Sequence, residues 1–203
     1  MSERRSTRPR RAGGARRAQI LDRVVEVLSE RGYVATRFAD VAQASGVAVS
    51  TLQGYFGSRE DMLVEALQRA TSKEVEALAE LAAGFEDPWQ RLAALVDRGL
   101  STPVKTWRLL MEFWTAAAHD DELRAHAGEL AEQYRRPFVE AVRRGVDSGS
   151  FSPRFDVAAL VDVLVATMDG LLYPLVLDHR ASAGPDYRDV VLAQLAFALG
   201  SDT

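Results

Sequence analysis

There is no cysteine among the 203 residues. A disulfide scaffold, a thiolate zinc site, an iron–sulfur cluster and a cysteine nucleophile are therefore excluded. Histidine is scarce: His119, His126 and His179 are the full set, too few to suggest a metal centre. No P-loop, G-x-G-x-x-G or Ser/His/Asp arrangement stands out either. Lysine is almost missing, since arginine supplies 23 of the 25 basic side chains. No segment alternates apolar and polar residues at the period of a strand. No apolar stretch follows the charged N-terminus, so no secretory signal is expected and a cytoplasmic protein is. Residues 157–177 come nearest to a membrane span, with 17 of 21 positions apolar or Pro, but Asp162 and Asp169 interrupt them. A charge near a bilayer centre costs roughly 2.5–3.5 kcal/mol on insertion scales, so no membrane partner is expected.

The chain is 47% apolar, enough to build a core without staples. Its charge is divided by region. Residues 1–60 carry 11 arginines against six acids, a net +5, and the remainder carries 14 basic and 23 acidic groups, a net −9. A basic end on an acidic body points to a polyanionic partner for that end. The basic charge is densest in residues 1–17, MSERRSTRPRRAGGARR. With seven Arg, two Gly, a Pro and no bulky apolar residue, they read as a disordered arm that collects phosphate contacts.

Beyond the arm the chain reads as an all-α fold of about nine helices. Ile20, Leu21, Val24, Val25 and Leu28 share one helical stripe that ends at Arg31-Gly32. Thr36 is placed as the N-cap of a short helix to Ser45, with Phe38, Val41 and Ala42 inward. Ser45-Gly46-Val47 is a tight turn. A second short helix covers about Val49 to Phe56 and buries Leu52 and Phe56. Ser58 and Asp61 form a capping box that opens a long helix to about Ala83. Asp87-Pro88 and Thr102-Pro103 each read as an N-cap followed by a first-turn proline. A helix from Asp121 to Asp147 contains Pro137, which is expected to kink or split it. Asp156 starts a nearly all-apolar helix, and Gly184-Pro185 the last one. The domains expected are the arm (1–17), a helix-turn-helix domain (18–64) and a helical body (65–203).

Residues 38–56, FADVAQASGVAVSTLQGYF, meet the physical requirements of a helix-turn-helix. Ala42 lets two helices cross closely, Gly46 permits the turn, and Val41, Val47 and Leu52 fill the space between them. Such a unit lays its second helix in the DNA major groove. Gln53 can pair bidentately with adenine, Ser50 and Thr51 can bond a base or a phosphate, and Val49 can touch a thymine methyl.

Residues 18–67 resemble the DNA-binding domain of the tetracycline-repressor (TetR) family. The resemblance rests on Ile20-Leu21, Gly32-Tyr33, Thr36, Asp40-Val41-Ala42, Ser45-Gly46-Val47, Ser50-Thr51-Leu52, Tyr55-Phe56, Ser58-Arg59-Glu60 and Leu63 at the family's spacing. It implies a homodimer whose recognition helices read a palindromic operator, usually to repress, and a small-molecule effector that releases it. Carried over by position, Thr36, Tyr55 and Arg59 bind phosphates; Arg16 and Arg17 are expected to add contacts on the basic charge of the arm. Ala48, Val49, Ser50, Thr51 and Gln53 lie in the groove. The chain departs from the family in having Ala48 for the usual Ser cap, Gln53 for a common Tyr, and Gly54 inside the recognition helix. The lost cap and the glycine each cost roughly 1 kcal/mol, so this helix is expected to be flexible without DNA.

In the body, Trp107, Leu110, Met111 and Trp114 share one helical face. With Trp89, Tyr134, Phe138, Met168, Asp169 and Leu172 they are the candidate lining of a pocket for an apolar or amphipathic effector. The last two helices offer Leu164, Leu171 and Leu175, and Tyr187, Val191, Gln194, Leu195 and Ala198, as the dimer interface. No cofactor or metal is implied. The rival reading is an all-α enzyme or sequestering protein built on His119, Asp120, Glu122 and His126. Their spacing fits neither H-E-x-x-H nor the Glu-x-x-His pattern of di-iron bundles.

Overall fold

The computed structural model describes residues 8–177 and 187–201, with residues 8–13 by backbone alone. Among the described residues there are nine helices and no strand. The chain divides into two compact units, Met1–Ala70 and Thr71–Thr203. The division falls inside one helix, six residues beyond the boundary read from sequence.

In the first unit, α1 (Arg8–Arg31) is followed by α2 (Phe38–Ser45), α3 (Val49–Phe56) and the first half of α4 (Arg59–Ala83). Helix α1 starts ten residues before the expected helix. Residues 8–17 are thus helical rather than an unstructured arm, and residues 1–7 lie outside the described residues. Arg and Ala are good helix formers, and extending an existing helix avoids a new nucleation step. Ile20, Leu21, Val24, Val27 and Leu28 of α1 pack with Val41, Val47, Leu52, Phe56, Met62, Leu63 and Leu67 in a buried core. Gly46 closes α2 at φ +65°, a left-handed conformation that glycine adopts without a Cβ penalty.

The cap of α2 is Arg37, not Thr36. The Arg37 amide donates to the Asp40 carboxylate at 2.8 Å. Thr36 is fully buried instead, and its hydroxyl donates to the Gly32 carbonyl at 2.7 Å. At the head of α4 the expected capping box is present. The Asp61 amide donates to Ser58 Oγ at 3.0 Å, and the Ser58 amide to Asp61 Oδ2 at 3.3 Å.

The second unit holds the rest of α4, then α5 (Pro88–Leu100), α6 (Val104–Ala117), α7 (Asp121–Asp147), α8 (Val157–Val176) and α9 (Tyr187–Leu199). Its core gathers Leu78, Leu92, Leu95, Phe138, Val142, Val161, Met168, Val191, Leu195 and Leu199. Asp87, Asp120 and Asp156 cap α5, α7 and α8 with their carboxylates. Pro103 rather than Thr102 caps α6, because the Thr102 hydroxyl turns back to the Gly99 carbonyl at 2.8 Å. Pro137 does not split α7, which runs unbroken through it with the ring buried. The expected Gly184-Pro185 start lies outside the described residues. Helix α8 is long and apolar enough to cross a membrane by length and composition. Leu160, Val161, Leu164, Met168 and Leu172 on one side of it are buried within the unit.

Candidate nucleic-acid interface and effector region

Helix α3 has two unlike faces. Leu52 and Phe56 are buried and anchor it, while Ala48, Val49, Ser50, Thr51, Gln53 and Gly54 are exposed. Five of the ten expected DNA-binding residues are in that exposed row. Tyr55 is half-buried, edge to face on Phe56 at 6.2 Å between centroids. Ala48 caps α3 with no side-chain bond. Gly54 faces open space.

Three residues expected to bind phosphate are engaged within the unit. Thr36 is fully buried, with its hydroxyl turned to the Gly32 carbonyl. Arg59 holds the loop between α1 and α2. Its Nε donates to the Thr36 carbonyl at 2.6 Å and its Nη2 to the carbonyls of Tyr33 and Val34. Its guanidinium lies 5.4 Å from the centroid of the Tyr33 ring, and Nη1 pairs with Glu60. Arg17 pairs through Nη1 with Glu65, donates through Nη2 to the Tyr55 carbonyl at 3.2 Å, and stacks over Phe56. A guanidinium fork suits carbonyls and carboxylates as well as phosphates, and only the fold reveals which it takes. Arg16 is exposed and lines a groove of about 380 Å³ with Gln19, Asp22, Arg23, Glu26, Ser45 and Val47.

The profile of the tetR family of bacterial regulatory proteins matches residues 20–66, and that of the C-terminal part of BetI-type transcriptional repressors matches residues 88–200. The chain belongs to the TetR family. The HTH-type transcriptional regulator BetI of Burkholderia ambifaria is 32% identical over 197 residues, covering 88% of this chain and 94% of that protein. A putative TetR-family regulator from Rhodococcus sp. has a TM-score of 0.78 at 20% identity, covering 92% of this chain and 99% of that one. A putative regulator from Saccharomonospora viridis in complex with choline has a TM-score of 0.74 at 24% identity, covering 93% and 97%. At those identities the two structures show the fold alone. This TetR-family chain is a DNA-binding transcriptional regulator and not an enzyme.

The residues of the rival enzyme reading are at a helix start. Asp120 Oδ1 accepts from the amides of Glu122 and Leu123, both at 3.0 Å, and His126 faces Glu129. Among the described residues, no three His, Asp or Glu are grouped to hold a metal ion.

The expected effector residues fall into two groups. Trp107 and Trp114 on α6 pack edge to face, 5.2 Å between centroids, with Trp107 buried and Trp114 37% exposed. Leu110 and Met111 on α6 are half-buried. Helix α6 packs on α7 and α8, which carry Tyr134, Met168, Asp169 and Leu172. A Cβ on Gly99 would meet Met168 Sδ at 3.0 Å and the Tyr134 hydroxyl at 3.2 Å, so these three are in contact. Burial, with Asp169 and Glu74 nearby, pushes the Tyr134 phenol up. Burial alone pushes the Asp169 carboxyl up to about 6. Trp89 does not belong to this group. It packs on Phe151 at the N-terminal end of α5, about 15 Å along that helix from Gly99 at 1.5 Å per residue. Phe138 is fully buried in the unit's own core and packs on Tyr134, 5.6 Å between ring centroids.

The expected dimer-interface residues are split between the unit's core and its surface. Leu164, Val191 and Leu195 face the unit's own core, and Leu171 and Ala198 pack against it. Leu175 and Tyr187 are half-buried, and Gln194 is exposed. The exposed apolar faces are Val163 and Tyr173 on α8 and Val190 and Phe197 on α9, each at least half exposed. Arg154 lies over the Phe197 ring, 4.8 Å from its centroid. A helix apolar nearly all round has no polar side to fix its rotation.

Proposed function

We propose that this regulator represses transcription as a homodimer that reads a palindromic operator with α3 and leaves it when a small organic cation binds the second unit. The observation that carries the DNA reading is the division of α3. Leu52 and Phe56 hold it while Val49, Ser50, Thr51 and Gln53 form an exposed row, which is what a helix reading base edges needs. The net +5 of residues 1–60 supports it. Such work belongs in the cytoplasm. The test is a protection footprint on the region upstream of the protein's own gene. A palindrome should be protected, with affinity falling steeply as salt rises. Uniform binding to every fragment would refute it.

The cationic effector rests on Asp169. This carboxylate is half-buried, with no hydrogen-bond or ion-pair partner among the described residues, on a helix packed against the one bearing the Trp107–Trp114 pair. Aromatic faces and a desolvated carboxylate together suit an alkylammonium group. The choline in the Saccharomonospora viridis structure is such a group. Dimerisation rests on the exposed Val163, Tyr173, Val190 and Phe197, which a second copy of the same two helices would cover.

A further inference from the structure

The structure assigns Arg17 and Glu65 a role in positioning the recognition helix rather than in contacting DNA. Arg17 sits on α1, Glu65 on α4, and between them lies the C-terminal end of α3. One guanidinium serves all three helices. Nη1 pairs with Glu65, Nη2 donates to the Tyr55 carbonyl at 3.2 Å, and the flat face stacks over Phe56 with Cζ 5.0 Å from the ring centroid. Tyr55 and Phe56 are the last two residues of α3. The carbonyls of a helix's last turn lack partners within the helix, and a cation there also opposes the helix dipole.

Helix α3 needs such an outside hold. It is eight residues long, its N-cap Ala48 makes no side-chain bond, and Gly54 weakens its interior. A helix this short is not stable by itself. Leu52 and Phe56 bury one side of it, but apolar contacts are non-directional. The guanidinium fork is directional, and it fixes α3 at the end farther from Ala48. Glu65 in turn orients the fork, and burial raises its carboxyl while Arg17 lowers it.

This inference rests on α3 being the base-reading helix. It is separable from simple electrostatics because the two explanations give opposite signs at one residue. Removing the negative charge of Glu65 beside a polyanion strengthens DNA binding if only charge matters. Removing it weakens sequence-specific binding if Glu65 holds the clamp.

The experiment uses the full chain and a duplex that the wild type enriches from a random-sequence pool, with a scrambled duplex of the same composition as control. Glu65→Leu keeps a good helix former, and Arg17→Lys keeps the positive charge while losing the fork. Each variant should lose about tenfold or more of the preference for the enriched duplex. Binding to the scrambled duplex and the slope of affinity against salt should stay within about twofold of the wild type. The double variant should be no worse than the poorer single one. Amide exchange of α3 should quicken in Glu65→Leu. Tighter binding of the enriched duplex by Glu65→Leu, or full preference retained by both variants, overturns the clamp and leaves the reading of α3 intact. A wild type that enriches no sequence overturns that reading, and the clamp with it.

Discussion

Alanine at Gly145 and alanine at Gly54 should move stability in opposite directions. Gly145 is inside α7, and a Cβ there would lie 2.0 Å from Phe151 Cδ2 and 2.3 Å from Cε2. Phe151 cannot easily yield. It is 3% exposed, packs edge to face on Trp89, and its amide donates to the Gly145 carbonyl at 2.9 Å. Overpacking of this kind costs about 1–3 kcal/mol, and complete loss of a buried phenylalanine about 3–5. Alanine recovers about 1 kcal/mol of helix propensity. The net expectation is about 2 kcal/mol of destabilisation in the second unit. At Gly54 nothing lies within 4 Å of the added Cβ, so only the propensity gain of about 0.5–1 kcal/mol remains. The three tryptophans, Trp89, Trp107 and Trp114, all belong to the second unit, so their fluorescence in urea reads that unit alone. With a urea dependence of about 2 kcal/mol per molar, Gly145→Ala should lower the midpoint by about 1 M. Gly54→Ala should instead slow amide exchange in α3 about two- to fivefold. An unchanged fluorescence midpoint for Gly145→Ala would refute the packing argument.

Two further outcomes follow from the second unit. The Asp169 carboxyl is pushed up to about 6 by burial, so the folded protein holds its proton more tightly than the unfolded chain. Its contribution to stability is therefore present at low pH and declines as pH rises from about 4 through 6. After discounting for partial solvation the decline is about 1 kcal/mol. Asp169→Asn should abolish it in urea midpoints taken between about pH 4 and 7, and choline affinity measured by calorimetry should fall below about pH 6 in the wild type alone. Phe197→Glu, at a position 68% exposed, should leave the fold intact and shift sedimentation from dimer to monomer. A dimer of unchanged affinity would place the interface elsewhere.

Helix α3 could be read almost to the residue because short-range rules define it. A glycine turn precedes it, Leu52 and Phe56 recur at helical spacing, and a Ser-x-x-Asp box follows. The basic character of residues 1–60 was equally plain. The partners of individual arginines were not, because sequence gives the sign of a charge but not the neighbour it meets across 48 residues, as for Arg17 and Glu65. Thr36 has the composition of a cap, yet Arg37 takes that place because Asp40 satisfies its amide. On α8 and α9 the apolar pattern runs nearly all the way round. Which side faces the core is set by α5, α6 and α7 for α8 and by α5 and α8 for α9, and so the exposure of Val163, Tyr173, Val190 and Phe197 was not legible in the sequence.

The most direct test of the whole account is base preference after Gln53→Ala. Gln53 is exposed on α3, and among the described residues its side-chain amide makes no hydrogen bond. Wild type and variant would each be selected against the same random duplex pool. The account predicts that the variant still enriches the same palindrome but loses preference at one position in each half-site, where the wild type favours adenine, at a cost of roughly 1–3 kcal/mol there. An identical enriched sequence, with undiminished preference at every position, would contradict it.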